Sequence, residues 1–332
     1  MPFSATITHP MHPAISRLAF ALLALTACAR SAPPPAAPLS PPPLDDVEAV
    51  SLFGEPLVAP ELPEAIRVDR EAKLAEAKAA ANARPDDPEA VIWLGRRIAY
   101  LGRYREAIEI FTRGTARWPR DVRFLRHRGH RYVSLRRFDL AEADLEKAAR
   151  FIAGQPDEVE PDGLPNSAGI PTSTLQSNIW YHLGLSRYLQ GDFAGALEAY
   201  RACLAVSKNP DMEVATRQWL YLTLRRLDRA AEAAQVLEPV RLDMDILENH
   251  AYHRLLLMER GEIPAASLLA VQGSADFDPV TLGYGVGAWS LAEGRREEAV
   301  RLFRHVVETG PWSAFGAIAA EAELHRLGEA VR

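Results

Sequence analysis

Cysteine is nearly missing from this chain: Cys28 and Cys203 are the only two. Two thiols cannot build a disulfide framework, and the four-ligand cysteine and histidine patterns of structural zinc sites do not occur. Positive charge is also short. Lys and Arg number 38 against 44 Asp and Glu, which leaves a net charge of -6 and a pI near 5.9. A whole-protein basic footprint for nucleic acid is therefore excluded. The apolar segment 18–27 falls far below the roughly 20 residues a membrane-spanning helix needs. No glycine-rich phosphate loop, nucleophile elbow or paired catalytic carboxylates appear. The run GYGVG at 283–287 has neither a preceding strand nor phosphate-loop spacing, and it reads as close helix packing. The chain is thus expected not to be an enzyme, and no cofactor or metal is implied.

What is present is an ordinary globular balance of 48% hydrophobic and 25% charged residues over 332 positions. That is enough for a sizeable core, arranged as about two domains or as one repeat array. The N-terminal stretch comes first. Arg17 and several histidines precede the apolar segment, and small residues close it, the pattern of a secretory signal. Its ending, Leu25-Thr26-Ala27-Cys28, resembles the lipobox of bacterial lipoproteins. The resemblance implies cleavage before Cys28 and lipid attachment to it, with residues 1–27 as signal peptide. Initiation at Met11 instead of Met1 would leave a more compact start. One acyl chain holds a protein only marginally, at about 0.8 kcal/mol per buried CH2, whereas two or three on one cysteine anchor it. Ala29, where an Asp would suggest inner-membrane retention, favours the outer membrane facing the periplasm. Residues 31–43, SAPPPAAPLSPPP, hold seven prolines and no charge. Such a segment favours extended polyproline II and reads as a tether, with residues 28–62 assigned as linker.

Residues 88–121 read PEAVIWLGRRIAYLGRYREAIEIFTRGTARWPRD, a unit of 34 residues. Leu94-Gly95, the turn Gly102 with Tyr104, Ala107, Phe111 and Pro119 sit where the tetratricopeptide repeat places its signature residues, so the unit resembles that family. The alanine at the twentieth position of the unit can be followed as Ala107, Ala141, Ala196, Ala233, Ala266 and Ala299, at intervals of 34, 55, 37, 33 and 33. The second unit puts Arg136 at the turn in place of glycine. The third, SNIWYHLGLSRYLQGDFAGALEAYRACL, is strong. The fourth is degenerate, with Asp228 at its turn, and the fifth places Pro264 early in its second helix. The sixth keeps Gly287, Gly294, Phe303 and Pro311. A helix at about 63–84 and another after Pro311 would close the two ends. The resemblance implies an all-α, right-handed α-solenoid of six helical hairpins over 63–332, each burying its apolar face on the next.

The 55-residue interval marks an acidic, Pro/Gly-rich insert at about 152–175. Its acids are Asp157, Glu158, Glu160 and Asp162, and it reads either as a binding lid across the groove or as a flexible loop. The first helix of the second repeat is strongly basic. First helices line the concave face in this family, so Arg123, Arg126 and His130, with Arg96 from the first repeat, are expected there. They suit a carboxylate or other anionic group through charge-assisted hydrogen bonds. Tyr181 and Tyr188 are candidates for the same face, although packing competes as an explanation. The acidic insert would mask the basic groove if the two face each other. The pairs His127/His130 and His250/His253 lack a third metal ligand. Cys203 falls at a small, buried position and is expected to be inert. The expected function is a membrane-anchored scaffold or adaptor that binds a protein or peptide partner in the bacterial cell envelope, without nucleic acid. The alternative is an envelope enzyme or a polysaccharide- or wall-handling factor working through the acidic insert.

Overall fold

The computed structural model describes residues 46–270 and 278–331. The expected signal peptide, Cys28 and the expected proline tether lie outside the described residues. Among those described are a two-stranded hairpin and fourteen helices. Strands β1 (Val47–Val50) and β2 (Pro56–Val58) pair antiparallel. Helix α1 is Glu64–Ala83, and six hairpins follow. They are α2 (Pro88–Tyr100) with α3 (Tyr104–Arg117), α4 (Val122–Ser134) with α5 (Phe138–Ile152), and α6 (Leu175–Gln190) with α7 (Phe193–Val206). The series continues with α8 (Pro210–Arg226) and α9 (Ala230–Leu237), α10 (His250–Glu259) and α11 (Ala265–Leu269), and α12 (Pro279–Ala292) and α13 (Arg296–Thr309). Helix α14 (Phe315–Leu327) comes last. The expected all-α solenoid of six hairpins with a helix at each end is what the chain forms. The hairpin at 47–58 corrects the assignment of linker through residue 62.

Local chemistry explains the helix starts. Asp87-Pro88, Asn209-Pro210 and Asp278-Pro279 each set a capping side chain before a proline at the first helical position, and each cap accepts a backbone N–H of the first turn. Thr174 and Ser177 form a reciprocal capping box ahead of α6. Inside each hairpin one residue adopts a left-handed backbone: Gly102, Arg136, Gly191, Asp228, Gly261 and Gly294. These follow the same intervals as the alanine series, which places a chain reversal in every repeat.

The alanines show why the period exists. Ala107, Ala141, Ala196, Ala233 and Ala299 have no exposed surface, because the paired helices meet there. Ala266 departs from the series and is exposed. Helix α11 has only five residues, Pro264 precedes it as the cap, and Leu268 is the side chain it buries. Glycines mark the closest approaches: a Cβ on Gly184 would lie 2.7 Å from the Tyr200 ring, and one on Gly285 would lie 2.3 Å from Leu255. The GYGVG run is therefore a packing surface.

Helix α14 packs on α12 and α13, and also reaches α6. Its small residues, Gly316, Ala317, Ala319 and Ala320, permit that approach. Two buried carboxylates on it reach inward. Glu321 pairs with Arg136 at 2.6 Å, and Glu323 pairs with Arg226 at 2.6 Å. Glu321 also accepts the Leu52 N–H of the hairpin, while Trp312 donates to the Val58 carbonyl at 2.7 Å.

Candidate functional site

The insert between α5 and α6 folds back on itself. Val159 and Thr174 form an isolated antiparallel bridge, the Glu160 N–H donates to the Ser173 carbonyl, and the Leu175 N–H donates to the Glu158 carbonyl. Asp157 accepts the N–H groups of Glu158 and Gln176. The Asp162 carboxylate accepts the Leu164 N–H, and Asn166 accepts those of Ala168 and Ile170. Short polar side chains that bond their own backbone hold such a segment without a core.

This folded insert lies over α2 and α4. Arg96 donates to the Pro161 carbonyl at 2.8 Å, and Arg97 donates to the Gly163 carbonyl at 3.0 Å. A Cβ on Gly163 would come within 2.0 Å of the Tyr100 hydroxyl, so any larger residue there would have to push the Tyr100 ring aside. Glu160 turns inward and pairs with Arg126 at 2.8 Å, and it also accepts from the Asn178 amide at 3.2 Å. On the far side, Thr172 donates to Glu248, and Asn166 bonds the same carboxylate.

Between the insert and the two helices is a cavity of about 230 Å³. Arg96, Arg126 and Arg131 line it, with His127, His130, Tyr100 and Glu160. The histidines are neutral. Burial, together with the charges of Arg126 and Arg131, pushes His127, His130 and His182 well below the ordinary histidine value. Arg126 Nη1 lies 3.2 Å from His127 Nδ1 and 3.3 Å from His130 Nδ1. The His130 ring lies tilted against His182, with centroids 4.4 Å apart, and His182 packs against Phe315 of α14. Burial lowers Arg126, opposed by Glu160, and brings Arg131 to about 10. Both remain cations near neutral pH.

Arg96, Arg126 and His130 come together around this cavity, and Glu160 joins them. Arg123 stands at the rim, paired with Asp121 at 2.6 Å and Glu89 at 2.7 Å. Asp157 and Asp162 shape the insert, and the exposed Glu158 contributes its carbonyl. Tyr181 and Tyr188 correct the expectation of an open concave face. Tyr181 is buried and accepts from Trp219 Nε1 at 2.7 Å. Tyr188 is buried and accepts from the Tyr284 hydroxyl at 3.1 Å. Aromatic side chains of α8 and α12 fill that side of the groove, so both tyrosines belong to the core. Cys203 is buried, and burial lifts its thiol to about 12. His253 Nε2 lies 2.8 Å from the Arg241 carbonyl. Among the described residues no group of three histidine, cysteine or acidic side chains is placed to hold a metal.

Arg131, Tyr100 and Glu248 were not among the predicted face residues. Arg131 lies one helical turn after His127, so register on α4 was the available signal. Tyr100 ends α2, and no local pattern marks it. Glu248 is distant in sequence from the insert, and nothing nearby announces the contact.

The tetratricopeptide repeat family model matches residues 177–210, which span α6, α7 and the entry to α8. No curated protein matches the chain. Several solved structures are similar. A tetratricopeptide repeat protein from Parabacteroides merdae is 15% identical, with 77% of this chain and 93% of that one covered and a TM-score of 0.44. The structure titled MamA RS-1 is 20% identical, with 59% and 90% covered and a TM-score of 0.40. A Podospora anserina putative kinesin light chain with TPR-like repeats is 14% identical, with 67% and 95% covered and a TM-score of 0.40. One repeat is thus matched directly by the tetratricopeptide repeat family, and all six hairpins of the described residues share its left-handed turn.

Proposed function

We propose that the protein is a non-enzymatic scaffold, anchored by lipid on Cys28 in the bacterial cell envelope, that recruits a protein partner through the insert. The anchor rests on the lipobox-like Leu25-Thr26-Ala27-Cys28 and the proline tether after it. Ala29 favours the outer membrane. The partner surface rests on one observation. The insert is folded, with Glu160 held inward and with Val159, Leu164 and Ile170 exposed at 61%, 52% and 53%. Apolar side chains held outward by an ordered segment suit a protein contact, because they need no reorganisation to be covered. An enzyme using the insert's acids would need a free carboxylate pair. Here Glu160 is held by Arg126 and Asn178, and Asp157 by backbone N–H groups.

Crosslinking in native envelopes with a combined Val159→Ser, Leu164→Ser and Ile170→Ser variant tests the surface. The partner band is expected to disappear while the protein stays folded. A band of unchanged strength rules the insert out. Metabolic labelling with a fatty acid tests the anchor: Cys28→Ser is expected to lose the label and leave the membrane fraction.

A further inference from the structure

A separate cavity of about 550 Å³ lies between the β-hairpin and the last two helices, a volume typical of small-molecule pockets. Its walls are largely apolar: Phe53 and Leu57 from the hairpin, Val307 from α13, Trp312 after it, and Val331 near the C-terminus. Those walls are fixed by the contacts that hold the hairpin. Trp312 donates to the Val58 carbonyl at 2.7 Å, Glu321 accepts the Leu52 N–H, and Arg105 of α3 donates to the Val47 carbonyl at 3.0 Å. Four charged side chains line the space, the acids Glu55, Glu308 and Glu321 and the single cation Arg136. Arg136 and Glu321 are buried and neutralise each other across 2.6 Å, and Arg136 also donates to the Ser134 carbonyl at 2.8 Å. Glu55 and Glu308 are exposed, and among the described residues neither carboxylate has an ion-pair or hydrogen-bond partner. Arg304, one turn before Glu308 on α13, is taken by Glu329 at 2.9 Å and by the Ala330 carbonyl.

A carboxylate on an open surface is satisfied by water and calls for no ligand. Here two of them stand at the mouth of an apolar space, and the one cation in the lining is already neutralised by Glu321. Three acids against one guanidinium leave the lining negative, so it repels anions and favours a positive group at its mouth. We infer that this cavity binds a small organic amine, its apolar body packed against Phe53, Leu57 and Trp312 and its ammonium group held at the mouth by Glu55 and Glu308. Burial of the hydrocarbon supplies most of the affinity, and an aromatic frame gains further from the Phe53 and Trp312 rings. The carboxylates supply the choice of charge. The site shares no residue with the insert, so it stands apart from the partner surface proposed above.

Calorimetric titration of the full chain in neutral detergent tests the inference, with phenylpropylamine, phenylpropanol and phenylpropanoate as probes and detergent alone as the blank. The three share one hydrocarbon frame and differ in the charge at its end. The amine is expected to bind saturably at one site, the alcohol about fivefold more weakly, and the carboxylate more weakly still. Glu55→Gln combined with Glu308→Gln changes two exposed side chains and should leave the fold intact. It should weaken the amine by about fivefold, the combined worth of two solvent-exposed ion pairs, and leave the alcohol as it was. Added salt should weaken the amine and spare the alcohol. Glu198→Gln, on the exposed face of α7, should change nothing. The inference is overturned if the amine shows no saturable binding, or if the alcohol or the carboxylate binds as tightly as the amine. It is overturned equally if the double variant keeps the full affinity for the amine.

Discussion

Arg136 and Asp228 stand at turns where the other four hairpins use glycine, and both adopt a left-handed backbone at φ 61° and 57°. An L-residue there carries a cost of roughly 1–2 kcal/mol that glycine avoids. For Arg136 the tertiary structure offers a reason: its guanidinium is the buried partner of Glu321. For Asp228 the structure offers none. The neutral histidines follow the same logic of local cost and surrounding gain. His127, His130 and His182 face Arg126 and Arg131, with Arg96 also near His127, and all three are held well below the ordinary value near 6.5. Below about pH 6.5 the unfolded chain takes up protons that the folded chain refuses. Stability therefore falls as pH drops through that value, by up to about 1.4 kcal/mol per pH unit for each histidine, until the depressed folded values are reached. Melting temperature measured from pH 7.5 down to 5.5 should decline, and His182→Phe should flatten the slope. An equal slope in wild type and variant would remove His182 from the account.

At the scale of elements, the hairpins are unequal. Helix α7 has 14 residues, α9 has 8 and α11 has 5. A helix of one turn draws almost nothing from cooperative hydrogen bonding, so α11 depends chiefly on the packing of Leu268, with Ala265 partly buried beside it. Hydrogen exchange should find the amides of α11 opening well before those of α6 and α7. Equal protection would mean that α11 is held by contacts beyond its own helix. The register slip at this hairpin, with Ala266 outside and Leu268 inside, follows from the same shortness. A period can be read through such a unit, but its helix length cannot.

At the scale of the molecule, α14 does more than close the last repeat. Glu321 joins α14 to the turn of the second hairpin and to the β-hairpin, and Glu323 joins it to the end of α8. Breaking a buried pair from one side leaves the other charge stranded, at about 3–5 kcal/mol. Glu321→Ala should lower unfolding free energy by that amount in a urea titration. Glu321→Ala combined with Arg136→Met should recover much of it, because the double change removes both charges. A double variant no better than the single would show that the pair is not the source of the loss.

The repeat period, the six turns and the identity of first and second helices were legible in the sequence alone. The Asp-Pro and Asn-Pro starts, the turn residues and the small residues at helix contacts act over a few positions, and each carries its reason locally. The acidic insert and the basic helix were legible as separate charge patterns. Their meeting through Glu160 and Arg126 was a possibility that only the tertiary structure decided, because nothing within the insert says which of its four acids turns inward. The burial of Tyr181 and Tyr188 was likewise undecidable from their own helix. A residue on the inner face of a hairpin is open or covered according to what later helices bring against it, and those helices are far away along the chain.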